Sequence, residues 1–107
     1  METRIDNTML KIACEQLVIA AMCGISYPFQ DRLENIVAQC DRVIEECAKV
    51  CQKCGQPDAC RAVRIILVKA SGIASKSLDA VTDVARDNCR LVARMGIDAA
   101  RQAAELR

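Results

Sequence analysis

The chain has 107 residues, of which 52% are apolar and 27% charged, which predicts one folded domain, residues 1–107, and excludes a disordered segment. Its 15 basic and 14 acidic residues are interspersed and leave a net charge of +1, so nothing favours nucleic acid or a membrane surface as a partner. Tyr27 and Phe29 are the only aromatic residues, and the stacking residues of single-strand binders are therefore missing as well.

The first predicted element is a helix at roughly residues 4–22. Its apolar run, residues 17–25, is too short to span a bilayer, and Glu15 and Gln16 just before it are unlike a signal peptide. We therefore expect a cytoplasmic protein, in which thiols stay reduced. Helix 1 is apolar nearly all round after Gln16, and the predicted helix 4 is longer than helix 3. These surfaces are expected either to be buried within a single four-helix bundle or to form a homo-oligomer through helix 1 or the end of helix 4.

Three punctuated segments, at 24–28, 55–58 and 71–75, are predicted to separate four helices. Helix 2 is expected at about 28–54, with Ser26 as its cap and Pro28 in its first turn. Helix 3 is expected from the cap Asp58 to near Ala70, and helix 4 from about 75 to 105. Apolar residues recur at three- and four-residue steps in helix 2, from Phe29 to Cys54, and in helix 4. The helix 4 stripe is Leu78, Val81, Ala85, Cys89, Val92, Met95 and Ala99.

No segment alternates with a period of two residues, so strands are not expected. Short connections between successive amphipathic helices favour antiparallel neighbours. The predicted fold is therefore all-α, an antiparallel up-down four-helix bundle with cysteines facing the core.

The stretch "CAKVCQKCGQPDAC", residues 47–60, carries four of the eight cysteines of a chain that has no histidine. At about 100° per residue, the cysteines of helix 2 fall within an arc of roughly 60° on its apolar face. Folding the helices back at the predicted turns brings Cys60 and Cys89 to the end where Cys47 lies. Cys14 is expected near the level of Cys40, and Cys23 at the opposite mouth. The candidate metal ligands are Cys14, Cys40, Cys47, Cys51, Cys54, Cys60 and Cys89.

Two other interpretations of the thiols are a disulfide framework and simple packing. Cysteines on one helix are poorly aimed at each other for disulfides, although a cross-helix pair such as Cys54 with Cys60 is sterically allowed. Buried cysteine also packs as a small apolar residue, which is the simpler interpretation of Cys14 and Cys23 taken singly. Four thiols on one face with two more at the same end favour a metal site.

A site made of thiolates selects soft ions: Cu(I), an iron–sulfur cluster or Zn²⁺. Structural zinc usually takes paired CxxC knuckles on loops, and here the single CxxC, Cys51 to Cys54, continues a helix. "CAKVCQKC" matches the CxxxCxxC pattern of radical SAM enzymes, but the chain is too short and too helical for their barrel. Cu(I), with two or three thiolates per ion, suits cysteines at three- and four-residue steps on one face.

The segment "ECAKVCQKCGQPDACRAV" resembles the cysteine-rich four-helix-bundle copper storage proteins, mainly over residues 40–62, with Cys14 and Cys89 as looser matches. The resemblance implies a tube-like bundle that binds several Cu(I) ions through inward-pointing thiolates. The chain has fewer cysteines than typical members and lacks the histidines often found near the open end, which implies a smaller store or a carrier.

Three hypotheses follow. The first is Cu(I) storage or buffering; the second is a [4Fe–4S] electron-transfer or sensing module; the third is a metal-free helical interaction protein whose thiols only pack. An enzyme is not expected, because the chain has no histidine base, glycine-rich phosphate loop or serine elbow. Asp41, Glu45 and Glu46 are predicted to lie on the solvent face of helix 2, within reach of Arg42 and Lys49.

Overall fold

The computed structural model describes residues 8–23, 30–53 and 57–105. These ranges contain four helices and no strand, which confirms the all-α prediction. The predicted cap Ser26, the predicted turn at 24–28 and the first half of the turn predicted at 55–58 lie outside the described residues, and the second half, 57–58, is helical. The helices are α1 (Thr8–Cys23), α2 (Gln30–Lys53), α3 (Pro57–Ser77) and α4 (Thr82–Glu105).

Each helix buries a stripe of residues at alternating steps of three and four. This spacing repeats every 3.5 residues on average, which is the pattern of helices that pack side by side in bundles and coiled coils. The α1 stripe is Leu10, Cys14, Leu17 and Ala21. The α2 stripe is Ile36, Cys40, Val43, Cys47 and Val50. The α3 stripe is Cys60, Val63, Leu67, Ala70, Ala74 and Ser77. The α4 stripe is Ala85, Cys89, Val92, Gly96, Ala99 and Ala103.

The helices pack in a ring around one core. Contacts join α1 to α2, α2 to α3, α3 to α4 and α4 to α1, and neither diagonal pair is in contact within the described ranges. The molecule measures 52 × 18 × 17 Å along its principal axes. Among the helical residues described, no helix is long and apolar enough to cross a membrane.

The third predicted turn is wrong. Residues 71–75 are helical, α3 continues to Ser77, and α4 begins at Thr82 rather than near 75. Leu78 and Val81, predicted to lie on the helix 4 stripe, are 45% and 71% exposed in the connection. Gly72 lowers helix stability by only about 1 kcal/mol relative to alanine, and the continued burial of Ala70, Ala74 and Ser77 outweighs that loss.

The two ends of α3 have identifiable causes. Its first residue is Pro57, so Asp58 lies inside the first turn and not at the capping position before the helix, where it was predicted. A carboxylate in the first turn complements the helix dipole. At the other end the buried Ser77 hydroxyl donates to the Ile73 carbonyl oxygen at 2.9 Å. The backbone amides of Leu78, Asp79 and Ala80 then each donate to the carbonyl oxygen three residues earlier, which is the 3₁₀-type geometry common at the ends of helices.

The core contains few large side chains, and α1 and α4 approach each other closely. A Cβ placed on Gly96 would lie 2.8 Å from Val18 Cγ2 and 3.6 Å from the Cys14 carbonyl oxygen. A side chain at position 96 would therefore have to displace the Val18 side chain or push the two helices apart. Apart from Leu10, Leu17, Ile36 and Leu67, the largest fully buried side chains are Val, Cys and Ser.

Candidate metal centre

Five cysteines, with at least one from each helix, belong to the cluster of buried residues that forms the core. Each of the five is at most 2% exposed, and Ser77 is the one other buried residue with a polar side chain in the described ranges. The thiols therefore occupy helix-packing positions where Leu or Ile would be usual. These cysteines are Cys14 on α1, Cys40 and Cys47 on α2, Cys60 on α3 and Cys89 on α4.

The buried thiols of α2 are separated by an apolar residue. Cys40 and Cys47 lie two turns apart, about 10 Å along the helix axis, and Val43 is fully buried between them. One small metal site cannot use both, because thiolate–metal bonds are only about 2.3 Å long. Cys40 and Cys47 belong to different levels of the core.

Within the described residues, no three cysteine, histidine, aspartate or glutamate side chains come together in a group that could hold a metal ion. Cys89, Cys47 and Cys60, which were predicted to lie at the same end of the bundle, thus do not form a three-ligand group among the described side chains. The side chain of Cys51 and the whole of Cys54 lie outside the described residues.

The backbone brings the remaining candidates to one region. Since α2 is helical through Lys53, Cys51 follows Cys47 by one turn, about 6 Å along the axis. Cys60 lies in the first turn of α3, and α3 contacts α2. The sequence from Cys47 to Cys60 therefore spans the end of α2, the three-residue connection and the start of α3.

Burial strongly favours the protonated form of three free thiols. Desolvation, assisted by the Glu15 charge, raises the pKa of Cys14 to about 11. Desolvation and the Asp41 charge raise the pKa of Cys40 to about 12, and desolvation alone raises the pKa of Cys89. These three groups carry their protons at neutral pH, so a metal ion would have to displace a proton from each.

The raised pKa values predict a loss of stability in alkali. Between about pH 9 and 11 the unfolded chain releases the Cys14 and Cys40 protons while the folded chain keeps them, so the free energy of unfolding falls as pH rises. The expected loss by pH 11 is about 2 kcal/mol for each thiol. Urea unfolding across this range should show a shallower pH slope for a Cys14→Ala, Cys40→Ala variant than for the native chain. Equal slopes would contradict the burial of these thiols.

Cys23 differs from the other described cysteines because it is exposed. It lies at the end of α1, beside a surface groove of about 390 Å³ between α1 and α2. Polar groups from Gln16, Asn35, Gln39 and Arg42 line this groove. Cys23 is therefore the thiol among those described that solvent reaches most readily.

The charged residues of α2 lie where the sequence predicted them. Asp41 and Glu45 are exposed, and Lys49 Nζ pairs with Glu46 Oε1 at 3.2 Å on the surface. Such exposed pairs contribute at most about 1 kcal/mol and bring no carboxylates together as an acid–base site. The chemistry of the described residues is that of the buried thiols.

Comparison with models of protein families, with curated proteins and with solved structures finds no match to this chain.

Proposed function

We propose that the protein binds a soft metal ion, Cu(I), through Cys47, Cys51, Cys54 and Cys60, for storage or buffering in the cytoplasm. The observation that supports this proposal is that Cys47 and Cys60 are buried on two contacting helices, with Cys51 and Cys54 between them in the sequence. Thiolate sulfur prefers soft ions, and a dry core protects Cu(I) from oxidation. We infer binding rather than catalysis.

The proposal includes an antiparallel, up-down course of the four helices with their thiols directed inward. Connections of six, three and four residues separate helices of 16 to 24 residues, and short connections favour antiparallel neighbours. Contacts between consecutive helices, together with that between α4 and α1, support this order.

The length of α3 separates Cys89 from Cys60 in such a bundle. Cys60 lies in the first turn of α3, about 25 Å from the end at Ser77, and Cys89 lies only about 10 Å after the start of α4. The two thiols are then about 15 Å apart along the bundle. Gly96 lies beside Cys14, and Cys89 precedes Gly96 by seven residues on α4. Cys89 and Cys14 are therefore also at different levels along the bundle.

The same register favours the region of the α2–α3 connection over the rest of the core. Counted from the segment between α1 and α2, Cys14 and Cys40 lie at a similar level, whereas Cys89 lies about 10 Å along the bundle from Cys14, so no more than two of these three thiols share a level. Four thiols from Cys47 to Cys60, by contrast, fall on two contacting helices and the short segment between them. We therefore assign the first bound ion to this region, and Cys14, Cys40 and Cys89 to packing or to further ions at higher loading.

A [4Fe–4S] cluster is the alternative for the same four thiols, since cubane clusters are held by four cysteines. No histidine is present to favour zinc or a Rieske-type centre. The colour of the purified protein distinguishes the two hypotheses, because an iron–sulfur cluster is brown and Cu(I) thiolates are colourless.

The metal-free interaction protein is a second candidate function. It is favoured by the lack of a three-ligand group among the described side chains and by the apolar residues that α1 exposes. In this alternative the cysteines only fill space between closely packed helices, as small apolar residues do.

Loading with Cu(I) tests the proposal directly. Protein purified without oxygen should be colourless and should take at least one Cu(I) per chain from a chromophoric Cu(I) chelator, with release of protons measured in weak buffer. The control is the same titration after all thiols have been alkylated in denaturant. Failure to compete with the chelator would refute metal storage, and a brown protein containing iron and sulfide would replace it with the cluster.

A further inference from the structure

The outer face of α1 carries apolar side chains along its whole length. Met9, Ile12, Ile19 and Met22 are 53%, 39%, 62% and 56% exposed. A surface helix of a monomer is usually polar on the face opposite the core, and a helix that is apolar all round is usually buried on both sides. The outer face of α1 has the apolar character of a helix surface that packs against a partner.

The exposed residues follow a helix-pairing pattern of their own. Met9, Ile12, Gln16, Ile19 and Cys23 succeed one another at steps of three, four, three and four residues, and all five are exposed. We call these five residues the outer stripe. Such a 3.5-residue repeat forms one continuous seam along a helix, and it is the pattern by which one helix packs along another of the same kind. The stripe that faces the core, Leu10, Cys14, Leu17 and Ala21, is a separate one.

We propose that the outer stripe of α1 is the contact surface between two copies of this chain. The partner is a second copy because the outer stripe is complementary to itself. It is an apolar seam with one amide, Gln16, near its middle, and a twofold axis would bring it against the same seam of the second copy. In coiled coils a single polar residue at such a position selects the register and the number of helices. Across this contact Gln16 side chains are expected to hydrogen-bond to each other.

The charges beside the outer stripe fit a self-association. Lys11 and Glu15 lie one turn apart on α1 with their charged atoms 4.0 Å from each other, and both are about half exposed. Each copy thus offers one positive and one negative charge beside the seam, which allows pairing of opposite charges across the contact. The net charge of +1 adds little repulsion between two copies.

A groove continues the apolar surface toward α4. It has a volume of about 480 Å³, and Val18, Ile19, Ile97 and Ala100 contribute to its walls. Arg101 borders it on the α4 side and Glu15 on the α1 side. A second copy seated on the outer stripe would cover part of this groove, which widens the contact beyond one pair of helices.

The oligomeric state tests this proposal independently of any metal. Light scattering on the metal-free chain eluting from a size-exclusion column should give twice the mass of one chain. An Ile19→Glu variant places a carboxylate in the middle of the seam and should weaken dimerisation at least about tenfold, measured by sedimentation at several concentrations. Circular dichroism of this variant should remain that of the native chain, because Ile19 is exposed in the monomer.

A Val68→Glu variant is the matched control, since Val68 is 51% exposed on α3 and lies outside the outer stripe. It should leave the dimer unchanged. A native chain that is monomeric at all concentrations would overturn the proposal, as would equal weakening by the two substitutions. Cu(I) binding is a separate result, because the proposed ligands lie on α2, α3 and the segment between them.

Discussion

Replacing both Cys47 and Cys60 with alanine is expected to lower Cu(I) affinity by more than about 100-fold, which corresponds to about 3 kcal/mol. The double substitution leaves Cys51 and Cys54 as the only thiols of the proposed site, so the bound ion keeps at most two thiolate ligands and loses the bonds to the others. Alanine is preferred to serine because both side chains are buried, and a hydroxyl group is more costly to bury than the thiol it would replace. The measurement is a competition titration against a chromophoric Cu(I) chelator.

The matched control replaces Cys14 and Cys89 with alanine. These two residues are as deeply buried as Cys47 and Cys60, and the variant retains the same number of thiols. Its first Cu(I) should bind with nearly native affinity, whereas any additional ions are expected to be lost. If the two double variants lose affinity equally, the ligands are spread through the core and the assignment to the α2–α3 region is wrong.

The Gly96→Leu substitution is expected to lower the free energy of unfolding by about 3 kcal/mol or more. Even the first carbon of a side chain at this position would lie 2.8 Å from Val18 Cγ2, and the Val18 amide nitrogen and Cys14 carbonyl oxygen lie 3.6 Å away. A leucine therefore meets the backbone of α1, which can yield only if the two helices separate. Urea unfolding followed by circular dichroism measures the loss.

Gly72→Leu provides the comparison, because Gly72 lies inside α3 and a Cβ added to it would have no other atom within 4 Å. Leucine is a better helix former than glycine by nearly 1 kcal/mol, so this variant should be as stable as the native protein or slightly more stable. A Gly96→Leu protein as stable as Gly72→Leu would mean that α1 and α4 are not in close contact at this level.

The close contact at Gly96 also bears on the candidate site. It fixes the position of α1 against α4, and with it the distance between Cys14 and Cys89 along the core. A chain with one tyrosine, one phenylalanine and no tryptophan fills its core with small side chains, which brings helices near one another. Cysteine is small enough for such packing, so burial alone does not show whether a cysteine is a metal ligand. The two double variants, at Cys47 and Cys60 and at Cys14 and Cys89, distinguish the two roles.

The helical class and the inward stripe of α2 could be predicted from the sequence, because local periodicity determines both. Ile36, Cys40, Val43 and Cys47 recur at three- and four-residue steps among charged neighbours, and these four residues are buried. In α4 the same reasoning correctly predicted the burial of Ala85, Cys89, Val92 and Ala99. The charged face of α2 followed from the same pattern.

The end of α3 could not be predicted in this way. Ser71, Gly72 and Ser75 form a segment that locally favours a turn, yet Ala74 and Ser77 are buried against the rest of the bundle. The free energy of that burial depends on residues far away in sequence and exceeds the local preference. The shift of the turn changed the expected position of Cys89, because its distance from the helix end sets its level in the core.

The sequence by itself determined that four amphipathic segments would form helices and that most thiols would be placed on their apolar sides. Only the tertiary structure decided which of the two apolar stripes of α1 is buried, since Leu10 and Met9 begin stripes of the same spacing. The neighbouring helices α2 and α4 cover the first and leave the second exposed. Local periodicity specifies which residues share a face of a helix, whereas contacts between helices determine which face is buried.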